Sequence, residues 1–155
     1  MYCHSLGPNA SENDFAGLYN AILVHWFGDS RGFVVGIHAL PQRRYRTLIV
    51  RHHDLPGHLN PLLVLNLKRP SKWTPVGQQA VVDELAEHIK CRFDLTQHDT
   101  IYGLGAIGLH WVVCKMKSGD DRPTIVVDWQ DNVASGGSYA KFETVANLIY
   151  NMASK

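Results

Sequence analysis

The run Leu62-Leu63-Val64-Leu65-Asn66-Leu67-Lys68, bounded by Pro61 and Pro70, constrains this chain more than any other stretch. A short apolar run between prolines predicts a short buried strand. Alternation along a strand sends Asn66 and Lys68 out from the same face. An ammonium on such a face is costly to bury unless a charged partner or a substrate meets it. Lys68 is therefore a candidate site residue, set against the plainer reading of a strand-end lysine that reaches solvent.

The chain around this strand divides into helices and further strands. Ser11 and Asp14 have the form of a capping box. Phe15, Leu18, Tyr19, Ile22, Leu23 and Trp26 then recur at helical spacing, which predicts a helix to about Phe27, closed by Gly28 to Gly32. Phe33–Leu40 and Arg46–Arg51 read as strands. Thr74 followed by Pro75 opens a second helix, whose apolar stripe is Val76, Ala80, Val81, Leu85 and Ile89, ending near Phe93. A short strand at Thr100–Gly103 follows, then a hairpin of Leu109–Lys117 and Pro123–Trp129. Ser138 is the expected cap of a final helix over about 138–153, lined by Phe142, Val145, Leu148, Ile149 and Met152, and Ser135 to Ser138 looks linker-like. This order predicts an α/β fold bordering on α+β. The expectation is a single domain over 1–155, its core at about 11–130, with a central mixed sheet flanked by helices.

A length of 155 residues suits one domain with a sizeable core. The formal charge of +1 gives no broad basic field, so any nucleic-acid binding must come from local clusters. Those are Arg43, Arg44, Arg46 and Arg51, and then Lys68, Arg69 and Lys72. Cys3, Cys91 and Cys114 lack a C-x-x-C spacing, which predicts reduced thiols rather than a zinc ribbon or a disulfide framework. The first residues have no signal-peptide pattern, and no apolar run approaches a membrane span. The expectation is an intracellular protein, cytoplasmic or nuclear, without a membrane partner.

The segment Leu63-Val64-Leu65-Asn66-Leu67-Lys68-Arg69-Pro70 resembles the last part of the PD-(D/E)XK nuclease-like motif. In fungal members of that superfamily the strand commonly ends in a Glu-x-Lys-Pro-Pro-like run. The resemblance implies a restriction-endonuclease-like core of helix, three-strand meander, crossover helix and further strand, matching residues 11 to about 115. In such proteins two carboxylates on adjacent strands hold a divalent ion, Mg²⁺ or Mn²⁺, which lowers the pKa of a bound water. The lysine orients that water or steadies charge on the phosphate.

Carried onto this chain, Lys68 matches the lysine and Asn66 occupies the Glu/Asp slot, where it would be a weaker oxygen ligand. The first aspartate is expected where Arg46 or Thr47 stands, and an arginine there would repel a metal. Glu12, with Asp14, corresponds to the acidic residue many members keep on the first helix. Gln78 corresponds to a glutamine found in some branches on the crossover helix. Asp54 is the best relocated carboxylate and, with Asn66, the expected metal-ligand set. The resemblance therefore implies a nuclease-like protein with a degenerate metal site, a non-catalytic binding module for nucleic acid or protein in which Arg46 and Arg69 add positive charge. The alternatives are a weak Mg²⁺- or Mn²⁺-dependent nuclease using Lys68, Asp54 and Glu12, or a structural, self-associating protein forming a homo-oligomer.

Four other features carry plainer readings. His52, His53, Asp54 and His58 suit a transition metal by type, but a strand alternates His52 and His53 between faces, which favours a polar turn. Gly103-x-Gly105-x-x-Gly108 fits the dinucleotide pattern, yet a strand rather than a helix is expected next, so the glycines read as a tight strand connection. Cys114 lies mid-strand, where a packed thiol is commoner than a nucleophile. Trp73, Trp111 and Trp129 suit either base stacking or packing.

Overall fold

In the computed structural model, described for residues 12–28, 32–39, 46–52 and 60–154, six strands form one mixed sheet. The elements in chain order are α1 (Glu12–Trp26), β1 (Phe33–Ala39), β2 (Arg46–His52), β3 (Pro61–Lys68), α2 (Pro75–Lys90), β4 (Thr100–Ile107), β5 (His110–Lys117), β6 (Thr124–Gln130) and α3 (Gly136–Ala153). The strands lie side by side in sequence order. Every neighbouring pair is antiparallel except β3 and β4, which run parallel with α2 as their crossover.

β3 sits at the centre, its first six residues buried. Leu63 and Leu65 join a core with Phe15, Tyr19 and Leu23 of α1 and with Phe142, Val145 and Ile149 of α3. Val64 belongs to a second core with Val81, Leu85 and Ile89 of α2 and with Ile101 and Ile107 of β4. So α1 and α3 cover one face and α2 the other, which is why β3 carries apolar residues at successive positions.

The distance between α2 and the sheet is set by glycine. Gly105 of β4 pairs across from Asn66 of β3. A Cβ at residue 105 would stand 2.6 Å from a Val81 methyl, 2.9 Å from one of Val112 and 3.1 Å from one of Leu85. Those separations are below contact, so the close approach needs a residue without a side chain. The glycine pattern is thereby corrected. Gly103 and Gly105 lie inside β4, which runs on to Ile107. Only Gly108, at φ +60°, serves the turn into β5. That turn is pinned to the end of β3 by the Gly108 N–H, which donates to the Lys68 carbonyl at 2.9 Å. The Tyr19 hydroxyl of α1 donates to the Gly108 carbonyl at 2.7 Å.

Other expectations also need adjusting. α2 ends at Lys90, and a separate 3-10 turn spans Phe93–Leu95. Val76 is 81 % exposed and Leu148 lies in solvent, so neither belongs to its helix's apolar stripe. Ser135, not Ser138, caps α3: its side chain accepts from the Ser138 N–H. Ser138 is buried instead, its hydroxyl accepting from Trp111 Nε1 at 2.9 Å and donating to the Asn132 carbonyl at 2.6 Å. The Ser11 cap lies outside the described residues. No helix among them is long and apolar enough to cross a membrane.

Candidate functional site at the end of β3

Alternation along β3 turns Val64, Asn66 and Lys68 toward α2, and the helix answers with Glu84. Lys68 Nζ lies 3.0 Å from Glu84 Oε2, and Asn66 Nδ2 donates to the same oxygen at 2.9 Å. Asn66 Nδ2 also reaches the Val81 carbonyl at 3.3 Å. Both of its partners are acceptors, so the amide must present its NH₂ group to them, and only Oδ1 remains as an acceptor. Asn66 is buried, whereas the Lys68 and Glu84 side chains keep 26 % and 34 % exposure. One negative and one positive charge balance there, held by a neutral amide. An acid at residue 66 would set two carboxylates against one lysine, an arrangement that calls for a cation or a shared proton.

A magnesium ion takes about six oxygen ligands in near-octahedral geometry, usually with one or two carboxylates. Among the described residues the β3 end supplies one carboxylate, and an ammonium and an amide already hold one of its oxygens. No three His, Cys, Asp or Glu side chains converge as a metal-binding group among those residues. These residues do not fit a divalent ion.

The other expected site residues are dispersed. Arg69 is exposed directly beyond Lys68, with Lys72 exposed at the end of the 3-10 turn Pro70–Lys72. Gln78 is not brought to Lys68. It lies on the opposite flank of α2, lining a groove with Trp129. Glu12 opens α1 and Arg46 opens β2, but their side chains lie outside the described residues, as do Asp54, His53 and His58 entirely. Glu84 was not anticipated. Its one sequence signal is its place three residues after Val81, at the border of the apolar stripe.

Beside Arg69 and Lys72 stands an aromatic cluster. The rings of Trp73 and His110 stack with centroids 3.6 Å apart and planes at 2°, and Trp129 meets Trp73 edge-on at 5.2 Å. Burial holds the His110 pKa below the ordinary imidazole value, opposed by the Asp131 carboxylate 3.9 Å away. Trp111, by contrast, is wholly buried against Phe142 and belongs to the core. Cys114 is also fully buried, and burial pushes its thiol up to about 12, so it packs as a protonated group.

No protein-family model, no curated protein and no solved structure matches this chain.

Proposed function

We propose that this chain is a degenerate PD-(D/E)XK-like domain that binds nucleic-acid backbone at the end of β3 and does not cut it. The element order supports the reading: a helix, an antiparallel three-strand meander, a crossover helix and a strand parallel to the third. The observation that carries it is the shared oxygen, Glu84 Oε2, which takes both Asn66 and Lys68. It satisfies the lysine's charge without a metal, and Glu84 is the carboxylate that meets both side chains. Arg69 and Lys72, exposed and adjacent, offer the phosphate contacts, and Trp73 and His110 offer an aromatic flank. With a chain charge of only +1, binding is expected to be weak, at about 10–100 μM near physiological salt.

A second reading rests on the same carboxylate. Glu84 stands 3.0 Å from Lys68, where an acid relocated to the helix could serve a nuclease. Glu84→Gln separates the two. In the binding reading, removing the carboxylate frees Lys68 for phosphate, and affinity for a labelled oligonucleotide rises about 3- to 10-fold at low salt. The relocated-acid reading requires instead a metal-dependent cleavage in the wild type that this variant abolishes.

A further inference from the structure

The sheet register brings the aromatic cluster and the cations to one end of the fold. Lys68 of β3 pairs across from Ile107 of β4, and Ile107 from His110 of β5, so the three form one row. Residues paired across strands share a face, and two strand spacings put His110 about 10 Å from Lys68. Arg69, Lys72 and Trp73 reach the same end through the 3-10 turn Pro70–Lys72. The Lys72 N–H donates to the Arg69 carbonyl and the Trp73 N–H to the Pro70 carbonyl, each at 3.0 Å. At about three residues per turn, Arg69 and Lys72 fall on the same side of it. The turn rests on Gly108, where a Cβ would stand 3.0 Å from Pro70 Cγ, and Thr74 caps α2 directly after it. Rings and cations are therefore held in place before any ligand arrives.

Packing does not use up these rings. Trp73 and Trp129 meet the second core only from its edge, and both stay partly exposed. The His110 side chain, stacked flat on Trp73, keeps 28 % exposure. Asp131, 99 % exposed, stands 3.9 Å from His110 Nδ1. A carboxylate there repels a phosphate but not a neutral base, so the backbone is steered to Arg69 and Lys72 and the base to the rings. Two exposed cations and a lysine already paired with Glu84 supply few phosphate contacts. Stacking makes up the difference only for an unpaired base, because a base inside a duplex has both faces covered by its neighbours.

Resting on the backbone-binding reading above, we infer that the ligand of this site is single-stranded nucleic acid. An unpaired base lies against the exposed part of the Trp73–His110 pair, and its flanking phosphates meet Arg69 and Lys72. The rings supply the choice of strand state, and the cations supply the attraction.

The test is fluorescence anisotropy at low salt with three labelled probes of equal length: oligothymidylate, the same strand annealed to oligoadenylate, and a strand of abasic nucleotides. Oligothymidylate is expected to bind about 5- to 100-fold more tightly than the abasic strand, the range for one stacked base, and about fivefold or more over the duplex. Trp73→Ala is expected to bring oligothymidylate down to the abasic level and to leave the abasic strand unchanged. Trp73→Phe should restore most of the difference. Arg69→Ala/Lys72→Ala should weaken both single strands alike, which reads the backbone separately from the base. Equal binding of the three probes, or tighter binding of the duplex, overturns the inference and leaves the backbone reading standing. No binding of any probe removes both. A preference for oligothymidylate that persists in Trp73→Ala, with an unchanged circular dichroism melt, also overturns the inference. Should Trp73→Ala melt early, the three probes on the wild type decide, since they leave the protein untouched.

Discussion

Gly105→Ala is expected to destabilise the protein by about 2–3 kcal/mol, the cost of overpacking a well-filled core, and to lower the melting temperature by about 4–12 °C for a chain of this size. The new methyl would meet Val81, Leu85 and Val112 at once, on α2 and β5, so no single rotamer change relieves it. The helix must move off the sheet. Because residue 105 pairs across from Asn66, that movement also pulls Glu84 from Asn66 and Lys68. Thermal melting checks the first part. The second is checked by the Lys68 side-chain resonances, which should move toward their positions in Glu84→Gln. A variant as stable as the wild type would mean that α2 does not rest on β4 as closely as described.

Lys68→Ala/Arg69→Ala/Lys72→Ala is expected to reduce affinity for a labelled oligonucleotide about 10- to 50-fold at low salt, since Arg69 and Lys72 each lose a phosphate contact while Lys68, held by Glu84, adds little. The slope of log K against log salt should flatten by about 1.5–2, at roughly 0.7–0.9 per contact removed. Arg69 and Lys72 are exposed and Lys68 is partly so, which leaves the fold intact and makes the loss readable as binding. Arg69→Ala/Lys72→Ala alone should give most of the effect, because Lys68 begins the encounter already paired with Glu84. An unchanged slope would remove the end of β3 from the interface.

Much of the sheet was legible because its signals are local. Burial on both faces leaves the successive apolar residues Leu62 to Leu65 after Pro61, and that run lies in β3. Thr74 before Pro75 marks a helix start, and Thr74 does accept from the Gly77 N–H. The fold class followed from the element order alone. What escaped depends on contacts between distant residues. Gly103 and Gly105 weaken a strand by propensity, so the sequence suggested that the strand stopped at them. The close approach of α2 selects them instead. Ser135 and Ser138 are equally good caps by type, and only the buried bond from Trp111 assigns Ser138 elsewhere. Gln78 and Glu84 share a helix, yet six residues at about 100° each leave them roughly 120° apart around it. Gln78 therefore faces the groove and Glu84 faces Lys68. Placing a carboxylate beside Asn66 required the fold, because 18 residues separate the two in the chain.

Central to this account is that charge at the β3 end is balanced by Glu84 without a divalent ion. The most direct measurement incubates purified protein with end-labelled DNA and RNA, single-stranded and duplex, with Mg²⁺, with Mn²⁺ and with chelator, and resolves the products on a gel. Salt-sensitive retention of intact strands, unaffected by metal, is the expected result. Metal-stimulated cutting that vanishes in Lys68→Ala would contradict it.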